Sequence, residues 1–243
     1  MTSFDRLVAE YDAGRLGYSN DVYNHLVAFG LVPKHAILDI GSGTGLASAP
    51  LIENGYDVTG VDPSEAMLGV ARERYPQAKW VHGSAEELPF QAGSFDVAIS
   101  AQAFHHADAT KAFSEIKRVL RPSGIVAIWW KSLMSDSPIK QLRDSIARDM
   151  GLAPLASTWR AGFREFYASG FRDTAVRVIP WSTISTLNKF LQYERSRKIV
   201  RDEFGVNAEE YFERLEARLR ETFGEGDPIV PLAYMHFLYL ARL

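Results

Sequence analysis

Three glycines at alternate positions, Gly41, Gly43 and Gly45, follow an apolar run that contains an acid, Ile37-Leu38-Asp39-Ile40. Glycine lets the backbone take positive φ and lets a ligand approach it closely. A helix after such a turn presents unpaired N–H groups and the positive end of its dipole. The pattern suits a nucleotide-like ligand, and a structural loop has the same composition. A second acid, Asp62 in Val61-Asp62-Pro63-Ser64, ends the next apolar run. A carboxylate placed there can accept both hydroxyls of a ribose; its other use is to cap the next helix, for which Ser64 also stands ready. A dinucleotide fingerprint, G-x-G-x-x-G, requires glycine at position 46, and Leu46 is there instead. Farther along, His105 and His106 are side chains that titrate near neutrality and can serve as bases. The same pair can be structural, with one ring hydrogen-bonded to backbone. With Asp108 they form only a weak metal site, because adjacent histidines need further ligands to hold one ion.

These residues need strands that end where they stand. Strands are read at residues 36–40, 57–61, 79–81, 95–100 and 125–130, with helices over 46–54, 64–74 and 110–120 between them. Ser64 is the N-cap of the second, and Met67, Leu68 and Ala71 share one of its faces. Arg121-Pro122-Ser123-Gly124 stops the third and turns into the next strand. Alternating strand and helix predicts parallel, right-handed βαβ units, with a ligand above the strand ends where strand order reverses. In the second half, 171–179 and 234–241 alternate as strands, and 184–204 and 208–223 read as amphipathic helices inserted between them. The inserted helices form either a substrate lid or a layer that only covers the sheet. The expected fold is α/β: a Rossmann-like, seven-stranded, mostly parallel sheet with helices on both faces and a helical lid before the last strands. The expected divisions are an N-terminal helical cover over 1–30, a binding core over 31–135, and lid plus closing strands over 136–243.

Two further segments narrow the ligand: Gly83-Ser84-Ala85-Glu86-Glu87-Leu88-Pro89-Phe90, and Phe95 to Ser100 continuing through Ala101-Gln102-Ala103-Phe104-His105-His106. Glu115 to Ile125 follows. In this order they resemble the class I S-adenosylmethionine-dependent methyltransferases, in particular the methyltransferase type 11 group around the quinone-biosynthesis and trans-aconitate enzymes, over roughly residues 8 to 130. The resemblance implies S-adenosyl-L-methionine as cofactor and S-adenosyl-L-homocysteine as product. It implies that Gly41, Ser42 and Gly43 lie against the methionine part, Asp62 with Pro63 at the ribose, Met67 against adenine, Ser84, Ala85 and Glu86 at the adenine edge, and Gln102 near the sulfonium. Ser84 departs from the group's usual Asp, so a hydroxyl replaces a charge there. The segment from Tyr11 to Tyr18 is similar to one that folds over the cofactor, with Arg15 facing its carboxylate and Tyr11 closing the site; an ordinary first helix with a surface arginine accounts for the same residues.

Transfer of a sulfonium methyl is an in-line displacement in which proximity and orientation do much of the catalysis. A base, His105 or His106, is needed only where the acceptor must lose a proton. Tyr18, Phe104, Trp130 and Trp181 are the candidate acceptor-binding residues, suited to a planar or apolar O-, N- or C-acceptor such as a heteroaromatic metabolite. Trp129 and Trp159 belong to the same aromatic set, and only one of Trp129 and Trp130 can face a pocket. Arg195 and Arg197 point alternatively to an acidic acceptor or to a solvated helix face.

The 243 residues are 47% hydrophobic with net charge −3. This suits a packed core and disfavours a nucleic-acid partner. Absence of cysteine removes disulfides and thiolate chemistry, as expected in the cytoplasm. No run reaches the ~18 apolar residues of a membrane helix. The expected protein is a cytoplasmic enzyme of small-molecule metabolism, monomeric or homodimeric, with neither metal, nucleic acid nor membrane as partner. The alternatives are a catalytically silent S-adenosylmethionine-binding interaction protein and a nicotinamide-dependent oxidoreductase.

Overall fold

A computed structural model of the chain describes residues 14–155 and 163–243, so Tyr11 and Trp159 lie outside the described residues. The strands are β1 (Ala36–Ile40), β2 (Asp57–Asp62), β3 (Lys79–His82), β4 (Phe95–Ala101), β5 (Leu120–Leu133), β6 (Arg172–Thr186) and β7 (Ile229–Arg242). They form one sheet in the order β3-β2-β1-β4-β5-β7-β6. Pairing is parallel from β3 to β5, and β7 runs antiparallel to both β5 and β6. The expected sheet is thus observed, with strand order reversing between β1 and β4.

Helices α1 (Asn20–Phe29), α2 (Ala49–Glu53) and α3 (Glu65–Arg74) bury Val22, Leu26, Leu51, Leu68 and Ala71 in one core with Trp129 and Leu238. On a second core, α4 (Ala109–Val119) packs Phe113 and Ile116 with Trp130 and Tyr239. The adjacent tryptophans of β5 therefore serve opposite faces of the sheet, as period-two alternation requires. A third core lies where β5, β6 and β7 run past the other strands. There α5 (Pro138–Asp149), α7 (Leu187–Ser196), α8 (Lys198–Phe204) and α9 (Ala208–Phe223) cover Leu133, Leu232 and Tyr234. A short helix, α6 (Phe163–Ala168), precedes β6.

Several boundaries depart from expectation. The helix after the glycine turn begins at Ala49 rather than 46, with Pro50 fixing its first turn, and is only five residues long. β6 extends to Thr186, whose hydroxyl caps α7 through the Lys189 N–H, and the helical stretch then breaks at Arg197. β5 already pairs at Leu120, and within it residues 121–123 are exposed, with Ser123 at φ 64°.

The end of β1 is joined to α2 by Asp39, which is fully buried and accepts from Ser48 Oγ at 2.7 Å. Burial pushes its carboxyl up to about 7, against the Ser48 hydrogen bond and aided by Asp62. The folded chain therefore holds a proton on Asp39 that the unfolded chain releases near 3.8. Stability contributed at this site falls as pH rises between those values. Asp39→Asn keeps an acceptor for Ser48 and removes the titration. Urea unfolding near pH 5 and near pH 8 is expected to show the variant gaining on wild type by up to about 3 kcal/mol at the higher pH; an equal difference at both values contradicts a protonated Asp39.

Candidate active site

The glycine turn is shaped by contacts that exclude side chains. Gly41 has φ 71°, and a Cβ there would lie 2.4 Å from the Ala103 Cβ on the neighbouring strand end. Gly45, at φ 82°, faces the rings of Trp80 and Tyr75 at 2.8–2.9 Å from a Cβ position. Gly41 and Ser42 donate backbone N–H groups to Val61 O at 2.8 and 3.1 Å, which clips the turn to the end of β2. Tyr23 of α1 supports it from behind, its hydroxyl donating to Ala47 O at 2.9 Å.

At the end of β2, Asp62 spans two elements. Its Oδ2 accepts from Gly43 N at 2.9 Å and its Oδ1 from Ser64 N at 2.8 Å. Ser64 in turn caps α3 by accepting from Met67 N. The carboxylate thus does not cap α3 itself; it fixes the glycine turn relative to the start of α3. A carboxylate accepts from hydroxyl as well as amide donors.

These residues line one side of a cavity of about 300 Å³ above the switch point, the small end of the range for small-molecule sites. Gly41, Gly43, Asp62, Pro63, Met67, Ser84, Ala85, Glu86 and Gln102 all line it, as does Arg15 from the N-terminal segment. Ser42 is buried beneath the turn and does not line it. The 83–90 loop is held to α4 by Glu115, which accepts from Leu88 N at 2.8 Å, and by Arg118, which donates to Leu88 O and Phe90 O at 2.9 and 2.7 Å. Glu86 Oε1 accepts from Asp108 N at 2.8 Å and ties that loop to the α4 N-cap. Gln102 sits at φ 57°, and its Nε2 donates to Lys131 O at 3.0 Å.

Of the aromatic candidates among the described residues, only Phe104 lines the cavity. Tyr18 packs edge-on against Trp129, and Trp181 stacks on Tyr234. Together these rings surround the ammonium of Lys131, which lies 5.0 Å from the Tyr18 ring, 5.5 Å from Trp181 and 5.4 Å from Tyr234. Lys131 also donates to Leu16 O and, at 2.8 Å, to Gly17 O, so it pins the segment that carries Arg15. Burial, with Arg15 and Lys189 nearby, pushes its ammonium well below the ordinary lysine value. Lys131 was not among the expected site residues. Its visible signal is a charge following the apolar run of β5.

Trp130 faces the second core and reaches the site only indirectly, donating its indole N–H to His105 Nδ1 at 3.1 Å. His105 lines the cavity; burial, then His106 and Arg15, push it down to about 4. It is therefore neutral at pH 7. With Nδ1 accepting, the ring's proton is on Nε2. In this tautomer Nε2 of His105 is a hydrogen-bond donor. His106, also lining the cavity, is lowered by burial and by Lys198 and Arg15, with Asp202 opposing. Among the described residues, no three His, Asp or Glu side chains converge as a metal site.

The side of the cavity formed by the helices over β5–β7 is cationic: Lys140 and Arg143 of α5, Arg197 at the break and Lys198 of α8. Arg195 points elsewhere, to Glu209 and Glu216. Sequence reasoning missed Lys140 and Arg143, whose i, i+3 spacing on an amphipathic helix marks no function by itself.

Residues 38–128 match the model of a methyltransferase domain. An uncharacterized methyltransferase of Mycobacterium tuberculosis is 36% identical over 148 residues, covering 60% of this chain and 60% of that protein. A demethylmenaquinone methyltransferase of Renibacterium salmoninarum is 35% identical over 136 residues, covering 51% of this chain and 55% of that one. The chain thus spans 60% or less of the length of these curated relatives. The solved structure of a type II methyltransferase candidate from Anaeromyxobacter dehalogenans has a TM-score of 0.71 at 23% identity, covering 94% of this chain and 97% of that one, and shares the fold.

The indole–imidazole contact makes a spectroscopic prediction. Nitrogen NMR of wild type is expected to show His105 as the Nε2–H tautomer, and Trp130→Phe to raise the Nδ1–H population; a wild-type Nδ1–H tautomer contradicts the assignment.

Proposed function

We propose, on the premise that residues 38–128 are a methyltransferase domain, that this chain binds S-adenosyl-L-methionine in the cavity above the switch point and transfers its methyl group to a small molecule. The observation that carries the reading is Asp62. Its carboxylate is oriented by the Gly43 and Ser64 amides at the cavity wall, beside a glycine turn whose approach to Ala103 excludes any side chain at position 41. That is the place and chemistry a ribose diol requires. Gly41 and Gly43 would take the methionine part, Met67 and the 83–86 loop the adenine, Gln102 the sulfonium end, and Arg15 the carboxylate through its guanidinium fork. When bound, the cofactor supplies a methyl on a positively charged sulfur, already activated for displacement.

The chain's own work is then orientation and water exclusion. The helices over β5 and β7 close the cavity from above. Lys131 holds the Leu16–Gly17 backbone and so keeps Arg15 over the site, where its guanidinium lies 5.7 Å from the centre of the Tyr193 ring. For an acceptor that must lose a proton, His106 is the base, since it is held neutral at pH 7 and its partner His105 is committed as a donor. For a carboxylate or neutral amine acceptor neither is needed during attack. A net charge of −3 supports a small acceptor over nucleic acid. No helix among the described residues is long and apolar enough to cross a membrane.

Calorimetry with S-adenosylhomocysteine tests the reading. Wild type is expected to bind, and Asp62→Ala to bind about a hundredfold more weakly through loss of charge-assisted hydrogen bonds, with a melting curve confirming that the variant is folded. Equal affinity of the two proteins contradicts the ribose assignment.

A further inference from the structure

The wall opposite the cofactor-binding residues has more positive charge than its carboxylates neutralise. Arg143 and Arg197 both point at one carboxylate oxygen, Glu194 Oε2, at 3.2 and 3.0 Å. Glu194 is completely buried, and the two arginine side chains are only 8% and 16% exposed. Arg143 has a second contact at the Tyr211 hydroxyl, 3.4 Å from its Nε. Among the described residues, two guanidinium groups against one carboxylate leave a buried cation uncompensated, and a buried charge without a counter-charge is costly. Burial also pushes the Glu194 carboxyl up, with Arg143 opposing, so proton uptake there only enlarges the excess. Both arginines line the cavity, whereas Glu194 lies behind them and does not. Lys140 and Lys198 border the same wall, their Asp144 and Asp202 partners also set back from the cavity. Among the described residues, the acids that line the cavity are Asp62, at the glycine turn, and Glu86, in the 83–86 loop.

We infer that this wall receives the anionic group, a carboxylate or a phosphate, of the methyl acceptor, with Arg143 and Arg197 as its fork and Glu194 as the residue that positions both. The inference rests on the proposed methyl-transfer reading and names the acceptor class for that site. Guanidinium matches the two oxygens of a carboxylate or phosphate in bidentate geometry. The anion supplies the charge that Glu194 alone does not. The i, i+3 relation of Glu194 and Arg197 sets the fork across the break between α7 and α8, so the anion would bind where the lid helices meet. Of the rings expected at the acceptor, Tyr18 and Trp181 are instead engaged with Lys131, and Trp130 with His105.

The test is calorimetry on the intact protein saturated with S-adenosylhomocysteine, using citrate, benzoate and inorganic phosphate as probes and triethyl citrate, benzamide and trimethyl phosphate as their neutral counterparts. At least one anion is expected to bind, with its neutral counterpart about tenfold weaker or worse; the phosphate and carboxylate arms tell the two sources apart. Arg197→Gln and, as a milder change at the rim, Lys198→Gln are expected to weaken that anion, the former about tenfold, with S-adenosylhomocysteine affinity unchanged and melting curves showing both variants folded. Absence of anion binding, equal binding of neutral probes, or an unaffected Arg197→Gln overturns the inference. So does a parallel loss of S-adenosylhomocysteine affinity in that variant, which would assign the cations to the cofactor's own carboxylate. Failure of wild type to bind S-adenosylhomocysteine would instead remove the methyl-transfer reading.

Discussion

The site depends on one carboxylate bonded to two backbone amides. Asp62 joins Gly43 to Ser64 and so fixes the distance between the glycine turn and the first turn of α3. The glycine turn and the start of α3, which line one side of the cavity, are referred to that link. The turn leans on β2 through Val61 O, α3 presents Met67 from its first turn, and the cavity opens between them. The parallel sheet makes this possible because β1 and β2 end side by side, with Ile40 opposite Val61 in the ladder. Asp39 has the complementary role beneath the turn, where burial keeps its proton and Ser48 ties it to α2.

The opposite wall is built differently. Its cations come from helices laid on the extended ends of β5, β6 and β7, and they are held by carboxylates set behind them. Lys131 connects the two halves. It lies on β5 next to Gln102 and Trp130, is ringed by Tyr18, Trp181 and Tyr234, and bonds the backbone of the N-terminal segment. A lysine so enclosed loses hydration and is retained only where carbonyls and aromatic faces replace water. The aromatic residues thus hold a lysine that holds a strap, which explains why rings that read as acceptor contacts stand outside the cavity.

Local patterns made the sheet legible: five apolar runs separated by amphipathic stretches, glycines and a capping serine. The glycine turn, Asp62 and the 83–86 and 102–106 segments were legible because each lies at a strand end, where chain order alone fixes position. The length of α2 was not, since Pro50 and the turns at 46–48 delay the helix within a stretch that is helical by composition. Nor was the Arg143–Glu194–Arg197 group, which joins residues some fifty positions apart through lid packing that no periodicity encodes. The histidine pair was visible, but its chemistry was not: the tautomer of His105 is set by Trp130, whose side of the sheet follows from register and not from residue type.

The central claim is that Asp62 recognises a ribose diol as well as bracing the turn. The most direct measurement compares the affinity of S-adenosylhomocysteine with that of its 2′-deoxy and 3′-deoxy analogues, in wild type and in Asp62→Asn. Wild type should prefer the full ribose by about tenfold or more for each hydroxyl, and Asp62→Asn should lose most of that preference while remaining folded. Deoxy analogues that bind wild type as tightly as the parent compound would contradict the account, leaving Asp62 as a brace of the turn and nothing more.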